Sequence, residues 1–296
     1  MSLWKQYYLA HSVEEALQLL SACAGEGRVI AGGTDLLLDL QQGRQASIDT
    51  LVDVNRITEM TTVEMDGEYL SIGAAVTLNK LVEARLIQEN AQALVEACAL
   101  VGGPQVRNSA TLGGNVAHAL PAGDGSIALL ALDARAEVAS LDGRRMCPLA
   151  DLFLGPGESA IQHNREILVR FLLPKRAGGQ ASVFRRVMRP QGVALPVLNM
   201  AVWLERTQSE ENDVVRDIRI AVGPAGPVPY RPATTEATLR GRLLVKDVVE
   251  EAKVILRREA RFRSSSQRAT AEYRQHLSGV LLEQTLEAAW ERAGVK

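Results

Sequence analysis

Apolar residues recur every three or four positions in the first segment of the chain, at 13–23. This spacing predicts an amphipathic helix, and Ser12 with Glu15 three positions later is typical of a capping box at its start. The apolar stretch at 29–31 predicts a strand that ends at paired glycines, and the stretch at 51–54 predicts another strand. We therefore expect a small α/β unit at about 1–57.

Shorter apolar patterns follow over the rest of the chain. The predicted strands lie at 69–74, 136–141, 183–188, 197–205 and 214–222, and the predicted helices lie near 78–84, 91–100, 245–259 and 269–293. A polar stretch with two glycines at 175–179 predicts a domain boundary. The sequence thus predicts a first domain at 1–176, divided into subdomains at about 1–57 and 58–176. A second domain at 180–296 is expected to have a mixed sheet backed by helices.

Two loops with paired glycines carry the most specific chemistry. The first, at 31–35, links the predicted strand to an apolar helix start, with Thr34 or Asp35 as the N-cap. The second, at 111–115, precedes Asp124, whose carboxylate can accept hydrogen bonds from ribose or ribityl hydroxyls. One glycine pair alone is more often a simple turn. Two pairs with polar flanks favour a site for a diphosphate, because closely spaced backbone N–H groups bind phosphate.

Composition narrows the class of protein. The chain has 296 residues, a formal net charge of −2 and 4% aromatic residues, so nothing indicates a nucleic-acid surface. No apolar stretch approaches the roughly 18 residues of a membrane span, and the N-terminus lacks the apolar core of a signal peptide. We expect a cytoplasmic protein that spans no membrane.

Other motifs predict no metal site and no catalytic residue. Cys23, Cys98 and Cys147 are far apart, so this chain alone cannot build a zinc site or an iron–sulfur cluster. The run at 155–160 formally matches G-x-G-x-x-A, but Pro156 removes an N–H where phosphate needs donors. The basic run at 257–263 is interpreted as a solvated helix face.

The run at 103–115, together with the first glycine loop, resembles the FAD-binding medium subunit of the molybdenum hydroxylases, the relatives of xanthine dehydrogenase and carbon monoxide dehydrogenase. The likeness extends through 155–157, 166–168, 184–189 and 268–274, and so covers nearly the whole chain. It implies an α+β protein with a two-part FAD-binding domain of the vanillyl-alcohol-oxidase (PCMH) type, followed by a C-terminal α+β domain.

The resemblance also implies a set of FAD contacts. It places the first loop and its strand along the diphosphate and adenosine, the second loop opposite, and Asp124 at the flavin hydroxyls or ring edge. Leu168 or Val169 would contact the ring or the adenine. The residues expected to bind FAD are Val29, Ile30, Ala31, Gly32, Gly33, Thr34, Asp35, Leu36, Val101, Gly102, Thr111, Gly113, Gly114, Asn115, Asp124, Leu168 and Arg185.

Two positions depart from the family pattern. At Val101 and Gly102, animal relatives place an aromatic residue against the flavin ring, and this chain does not. Arg185 stands where relatives commonly have a lysine near the pyrimidine edge of the flavin. Either side chain supplies the positive charge that stabilises the anionic reduced flavin.

The implied function is electron transfer. In such enzymes a molybdopterin large subunit oxidises the substrate, and 2Fe–2S clusters on a small subunit relay electrons to FAD. The FAD then passes them to NAD or another acceptor, and the likeness favours the xanthine dehydrogenase type. We expect these two partner subunits, assembled as a dimer of heterotrimers. Two alternatives stay open: a self-sufficient flavin oxidase of the vanillyl-alcohol-oxidase superfamily, and a nonenzymatic nucleotide-binding module.

Overall fold

The computed structural model describes residues 3–189, 195–207 and 213–294. Its first elements are β1 (Trp4–Leu9), α1 (Val13–Ser21), β2 (Gly27–Ile30), α2 (Leu36–Gln41) and β3 (Ile48–Asp53). The three strands form a parallel sheet in the order β1-β3-β2. The carboxyl ends of β2 and β3 therefore meet at one edge, where the first glycine loop begins.

The start of α1 confirms the predicted helix cap. The Ser12 side chain accepts a hydrogen bond from Glu15 N at 3.0 Å. The Glu15 carboxylate accepts one from His11 N at 2.7 Å rather than from Ser12 N. The capping box thus closes one residue further out than the simple motif predicts.

The middle of the chain is built on a five-stranded antiparallel sheet. Its elements are α3 (Thr58–Thr61), β4 (Val63–Asp66), β5 (Tyr69–Gly73), α4 (Leu78–Glu83), α5 (Arg85–Asn90), α6 (Gln92–Ala99), α7 (Pro104–Ser109), α8 (Leu112–Ala117), α9 (Asp124–Ala131), β6 (Arg135–Ser140), β7 (Gly143–Pro148), β8 (Phe153–Gly155), β9 (Glu158–Ser159) and β10 (Ile167–Pro174). The strand order is β4-β5-β10-β6-β7, with β8 and β9 paired separately. All eight residues of α9 are buried, so this helix lies at the centre of the core.

The last part comprises β11 (Gln180–Val187), β12 (Leu198–Arg206), β13 (Val215–Gly223), α10 (Ala233–Leu239), α11 (Lys246–Glu259) and α12 (Ala271–Gly294). The predicted α+β class is confirmed, but the sheet expected to be mixed is antiparallel in the described strands. The reason is the length of the connections: 10 residues separate β11 from β12 and 8 separate β12 from β13, fewer than the roughly dozen that a parallel crossover requires. No helix in the described ranges is long and apolar enough to cross a membrane.

Both faces of this C-terminal sheet are buried. On β11, Ala181 and Val183 pack with α11 and α12, whereas Phe184 packs into the core of the first domain. On β12, Val202 likewise packs with α11 and α12, and Trp203 packs into the core of the first domain. Successive side chains on a strand point to opposite faces of the sheet. One face of this sheet therefore packs on the helices, and the other packs on the first domain.

Hydrogen bonds of Glu96 and Arg292 at the edge of this sheet link three elements, and we call this pair the polar clasp. Glu96 on α6 accepts hydrogen bonds from Phe184 N on β11 and from Arg292 on α12, both at 2.7 Å. Arg292 also donates to Ser182 O. Removing the Glu96 carboxylate therefore takes an acceptor away from both the buried Phe184 N–H and the Arg292 guanidinium.

We expect Glu96→Ala to lower the free energy of unfolding by about 1–3 kcal/mol, because it leaves the buried N–H of Phe184 without an acceptor. Glu96→Gln keeps an acceptor and should cost less. Glu89→Ala, which breaks an exposed pair with Arg85, is the control and should cost under about 0.5 kcal/mol. Denaturant midpoints measure these differences, and equal losses for Glu96→Ala and Glu89→Ala would contradict the role of the clasp.

Candidate functional site

The first glycine loop leaves a row of backbone donors free. The N–H groups of residues 32–36 have no acceptor among the described residues. Gly33 has φ +66°, a left-handed conformation that turns successive N–H groups toward one side. The loop is half-buried at Gly32, Gly33 and Thr34 and more exposed at Asp35. This concave run of donors suits an anionic group such as a diphosphate.

A polar network at the end of β3 supports this loop from below. The Asp53 carboxylate accepts hydrogen bonds from Tyr7 Oη and from both Asn55 N and Nδ2. Asn55 Nδ2 also donates to Ala31 O at 3.0 Å. The hydrogen bond to Asp53 raises the pKa of Tyr7 to about 12. These residues were not among the expected contacts, although Asp53 lies in the predicted strand at 51–54 and Asn55 follows it directly.

Gly32 and Gly113 each lie against the backbone of another segment. A Cβ on Gly32 would lie 2.1 Å from Ser109 O, which a side chain cannot occupy. A Cβ on Gly113 would likewise lie 2.6 Å from Ala74 O. These glycines are therefore required by close backbone approach, and the Gly32 contact brings the first loop against Ser109, two residues before the second.

The donors of the second loop are mostly used within the protein. Gly113 N donates to Ala74 O at 2.8 Å, and Gly114 N donates to the Thr111 side chain at 3.1 Å, where Thr111 caps α8. Asn115 Oδ1 accepts from Ser126 N at 3.1 Å. Both N–H groups thus have acceptors within the protein, and the role of Gly113 and Gly114 at a diphosphate stays a prediction. Thr111 N and the Asn115 side-chain nitrogen remain without a partner in the described structure.

The other predicted contacts lie around these loops with different exposure. Gly102 has φ +55°, and its carbonyl accepts from Arg107 at 3.0 Å, so this glycine forms the turn before α7. Val101, whose carbonyl also accepts from Arg107, is half-buried. Ile30 and Leu168 are buried, and Leu168 pairs with Val138 beside an irregularity of β10. Val29 and Leu36 are half-buried.

Asp124 is enclosed by protein donors. Its Oδ2 contacts Arg186 Nη1 at 2.5 Å, and its Oδ1 accepts from Asn199 Nδ2 at 2.6 Å. The side chains of Asp124 and Arg186 are only 4% and 5% exposed. Burial raises the pKa of Asp124, and the Arg186 charge and the Asn199 hydrogen bond oppose that effect. This carboxylate joins the start of α9 to the C-terminal sheet, and its role at flavin hydroxyls stays a prediction.

Strand alternation places Arg185 and Arg186 on opposite faces of β11, and the role of Arg185 at the flavin stays a prediction. Arg186 points from β11 toward the first domain, where it meets Asp124. Arg185 lies on the opposite face and lines a shallow groove with Glu287 and Glu291 of α12. The arginine on the side of the glycine loops is thus Arg186. Its Nε and the neighbouring Asn199 Oδ1 are buried without a partner among the described residues.

Comparison with known proteins connects this geometry to a family. Residues 3–176 match the model described as the FAD binding domain in molybdopterin dehydrogenase, and residues 182–289 match the CO dehydrogenase flavoprotein C-terminal domain. The carbon monoxide dehydrogenase medium chain of Hydrogenophaga pseudoflava is 29% identical, with 97% of each chain covered. The xanthine dehydrogenase FAD-binding subunit of Escherichia coli O157:H7 is 31% identical over 98% of this chain and 97% of that protein.

A solved structure shows the same likeness in three dimensions. A chain of carbon monoxide dehydrogenase from Hydrogenophaga pseudoflava superimposes with a TM-score of 0.90 at 28% identity. The match covers 97% of this chain and 98% of that one. The similarity therefore includes both the part with the glycine loops and the C-terminal sheet with its helices.

We expect Asp124→Ala to destabilise the protein by about 3–5 kcal/mol, since it leaves the buried Arg186 guanidinium without its counter-charge. The double variant Asp124→Leu with Arg186→Met should recover much of that loss because it buries no charge. Asp39→Ala, which breaks a surface pair with Arg44, should cost under about 1 kcal/mol. Thermal and denaturant unfolding of the three variants measure these differences. A double variant no more stable than Asp124→Ala alone would refute the ion-pair explanation.

Proposed function

The chain belongs to the family of FAD-binding medium subunits of molybdenum hydroxylases, and from this premise we propose that it is the electron-transfer flavoprotein of such an enzyme. In this proposal it receives electrons from iron–sulfur clusters of a small subunit and passes them to NAD or another acceptor. Substrate oxidation takes place on a molybdopterin large subunit. The observation that carries the proposal is the row of free N–H groups at 32–36.

These donors fit the diphosphate of FAD. Consecutive N–H groups around a left-handed glycine form a concave anion site without needing a basic side chain. The loop stands at the carboxyl edge of a parallel sheet, which is where α/β units bind nucleotides. We propose that 29–36 hold the diphosphate and adenosine, and that Thr111 and Asn115 contribute from the second loop.

When bound, FAD supplies the exchange between single-electron and two-electron carriers. The part of this chain is to hold and orient it. Arg186, rather than Arg185, is the arginine on the side of the first domain, where its Nε is buried without a partner among the described residues. Asp124 neutralises most of the Arg186 charge. We therefore propose that this ion pair affects the geometry of the FAD site more than its electrostatic potential.

We propose domain boundaries at 1–176 and 180–296, and a first domain divided near residue 57. The two family matches, at 3–176 and 182–289, support the main boundary. Partner subunits are supported by the names of the relatives, which are medium chains or FAD-binding subunits. The dimer of heterotrimers and the choice of NAD as acceptor rest on the family resemblance.

We expect Gly32→Ala to weaken FAD binding at least about tenfold, or about 1.4 kcal/mol, because the new Cβ pushes the first loop away from Ser109. Gly43→Ala is the control: nothing lies within 4 Å of its Cβ position, although Gly43 has a left-handed φ of +68° that Gly32 lacks. The Gly43 variant therefore carries backbone strain without a steric clash and should keep FAD. Fluorescence titration with FAD and with FMN measures the affinities. Equal FAD affinity in both variants, or preference for FMN, would contradict the site.

Reduction of the flavin by a substrate is expected to require the partner subunits. We expect no bleaching of flavin absorbance when purines or aldehydes are added anaerobically to the FAD-loaded chain alone, whereas dithionite should bleach it. Adding the iron–sulfur and molybdopterin subunits should allow a substrate of the complex to bleach it. The same complex built with Gly32→Ala is the control and should transfer less to the acceptor. Bleaching of the lone chain by substrate would favour a self-sufficient flavin oxidase instead.

A further inference from the structure

Several arginines converge at the start of α12. Ser265 N donates to Ala269 O at 2.9 Å and Arg268 N donates to Ser265 O at 3.2 Å, which closes a tight turn before the helix. Arg263 and Arg268 flank this turn, both are exposed, and both charges act on Arg274. Arg274 follows in the first turn of the helix. We call Arg263, Arg268 and Arg274 the arginine cluster.

Arg274 carries a buried charge that the described structure does not balance. The residue is 2% exposed, and its Nη1 donates to Arg263 O at 2.6 Å. Its Nε is buried and has no partner among the described residues. Burial lowers the pKa of Arg274, and the charges of Arg268 and Arg263 lower it further. A buried guanidinium surrounded by like charges is costly unless an anion compensates it.

Three other arginines of the same domain, unlike the arginine cluster, are paired with carboxylates. Arg231, Arg240 and Arg292 each contact a carboxylate within 2.8 Å. No ion pair joins any member of the arginine cluster to a described carboxylate. Arg189 adds a further positive group, since its Nη2 lies 3.5 Å from Arg268 O.

The surrounding groups also favour an anion. The cluster stands at the N-terminus of a helix of 24 residues, where the helix dipole repels cations and attracts anions. Ser264 Oγ accepts from Ala271 N at 2.9 Å and Thr270 Oγ1 accepts from Tyr273 N at 3.2 Å. Both hydroxyls therefore keep their own hydrogen to donate.

We propose that the arginine cluster binds the phosphoryl group of a small molecule, either inorganic phosphate or a nucleotide phosphate ester. A phosphoryl dianion offers three or more acceptor oxygens and matches the planar fork of guanidinium groups. A single carboxylate would leave more of the positive charge uncompensated. The site shares no residue with the glycine loops, so it stands independently of FAD binding.

The experiment uses the full chain saturated with FAD, so that the glycine loops are not available to the probe. Isothermal titration with inorganic phosphate and, separately, with adenosine diphosphate is run at constant ionic strength in chloride. We expect saturable binding with one site. Arg268→Gln and Arg263→Gln should each weaken it at least tenfold, because each removes one converging charge. Arg274→Lys, which keeps the charge but not the fork, should also weaken it.

Arg135→Gln is the matched control, because it removes an exposed arginine from the sheet of the first domain. It should bind the probes like the wild type. Tighter binding of adenosine diphosphate supports a nucleotide, and tighter binding of phosphate supports the free anion. Absence of saturable binding, or equal binding by Arg268→Gln and Arg135→Gln, overturns the proposal and leaves a carboxylate of a partner protein as the compensating group. Flavin absorbance, followed in every variant, reports separately on the FAD site.

Discussion

The C-terminal sheet has no solvent-facing side, and this constraint organises the rest of the molecule. A three-stranded sheet normally needs one covering layer, but here α11 and α12 cover one face and the first domain covers the other. The seven residues 198–204 of β12 are consequently all buried. Polar groups that must cross this interface can do so only in pairs, which explains why Asp124 meets Arg186 and Glu96 meets Arg292.

The same constraint shows why part of the fold was not predictable from sequence. The apolar runs predicted strands in the correct places, but a strand that is apolar on both faces carries no alternation to say which side meets which layer. Arg185 and Arg186 are adjacent and chemically alike, so only the packing distinguishes their directions. The predicted strands also omitted β10, although it is largely buried at the centre of its sheet, and β1, whose residues are mostly exposed and show no apolar periodicity.

The candidate site was likewise predictable from the sequence only in part. Paired glycines marked two segments where the backbone has special contacts, but the second, at 111–115, is the cap and first turn of α8 rather than a loop. The sequence does not reveal which requirement applies. At Gly33 it is a left-handed backbone, whereas at Gly32 and Gly113 it is the approach of another backbone segment. The helix at Leu112–Ala117, with two glycines, is stabilised by tertiary contacts and by the Thr111 cap rather than by helix propensity.

The backbone contact between Gly32 and Ser109 has a consequence for how the protein matures. The second loop leads through α8 to Asp124, and hence to the junction with the C-terminal sheet. A ligand that fixes the first loop must then favour the assembled arrangement of all three parts, and its binding free energy adds to that of folding. Cofactor supply in the cell would in this way set how much of the chain survives to be assembled, a form of quality control that needs no dedicated sensor.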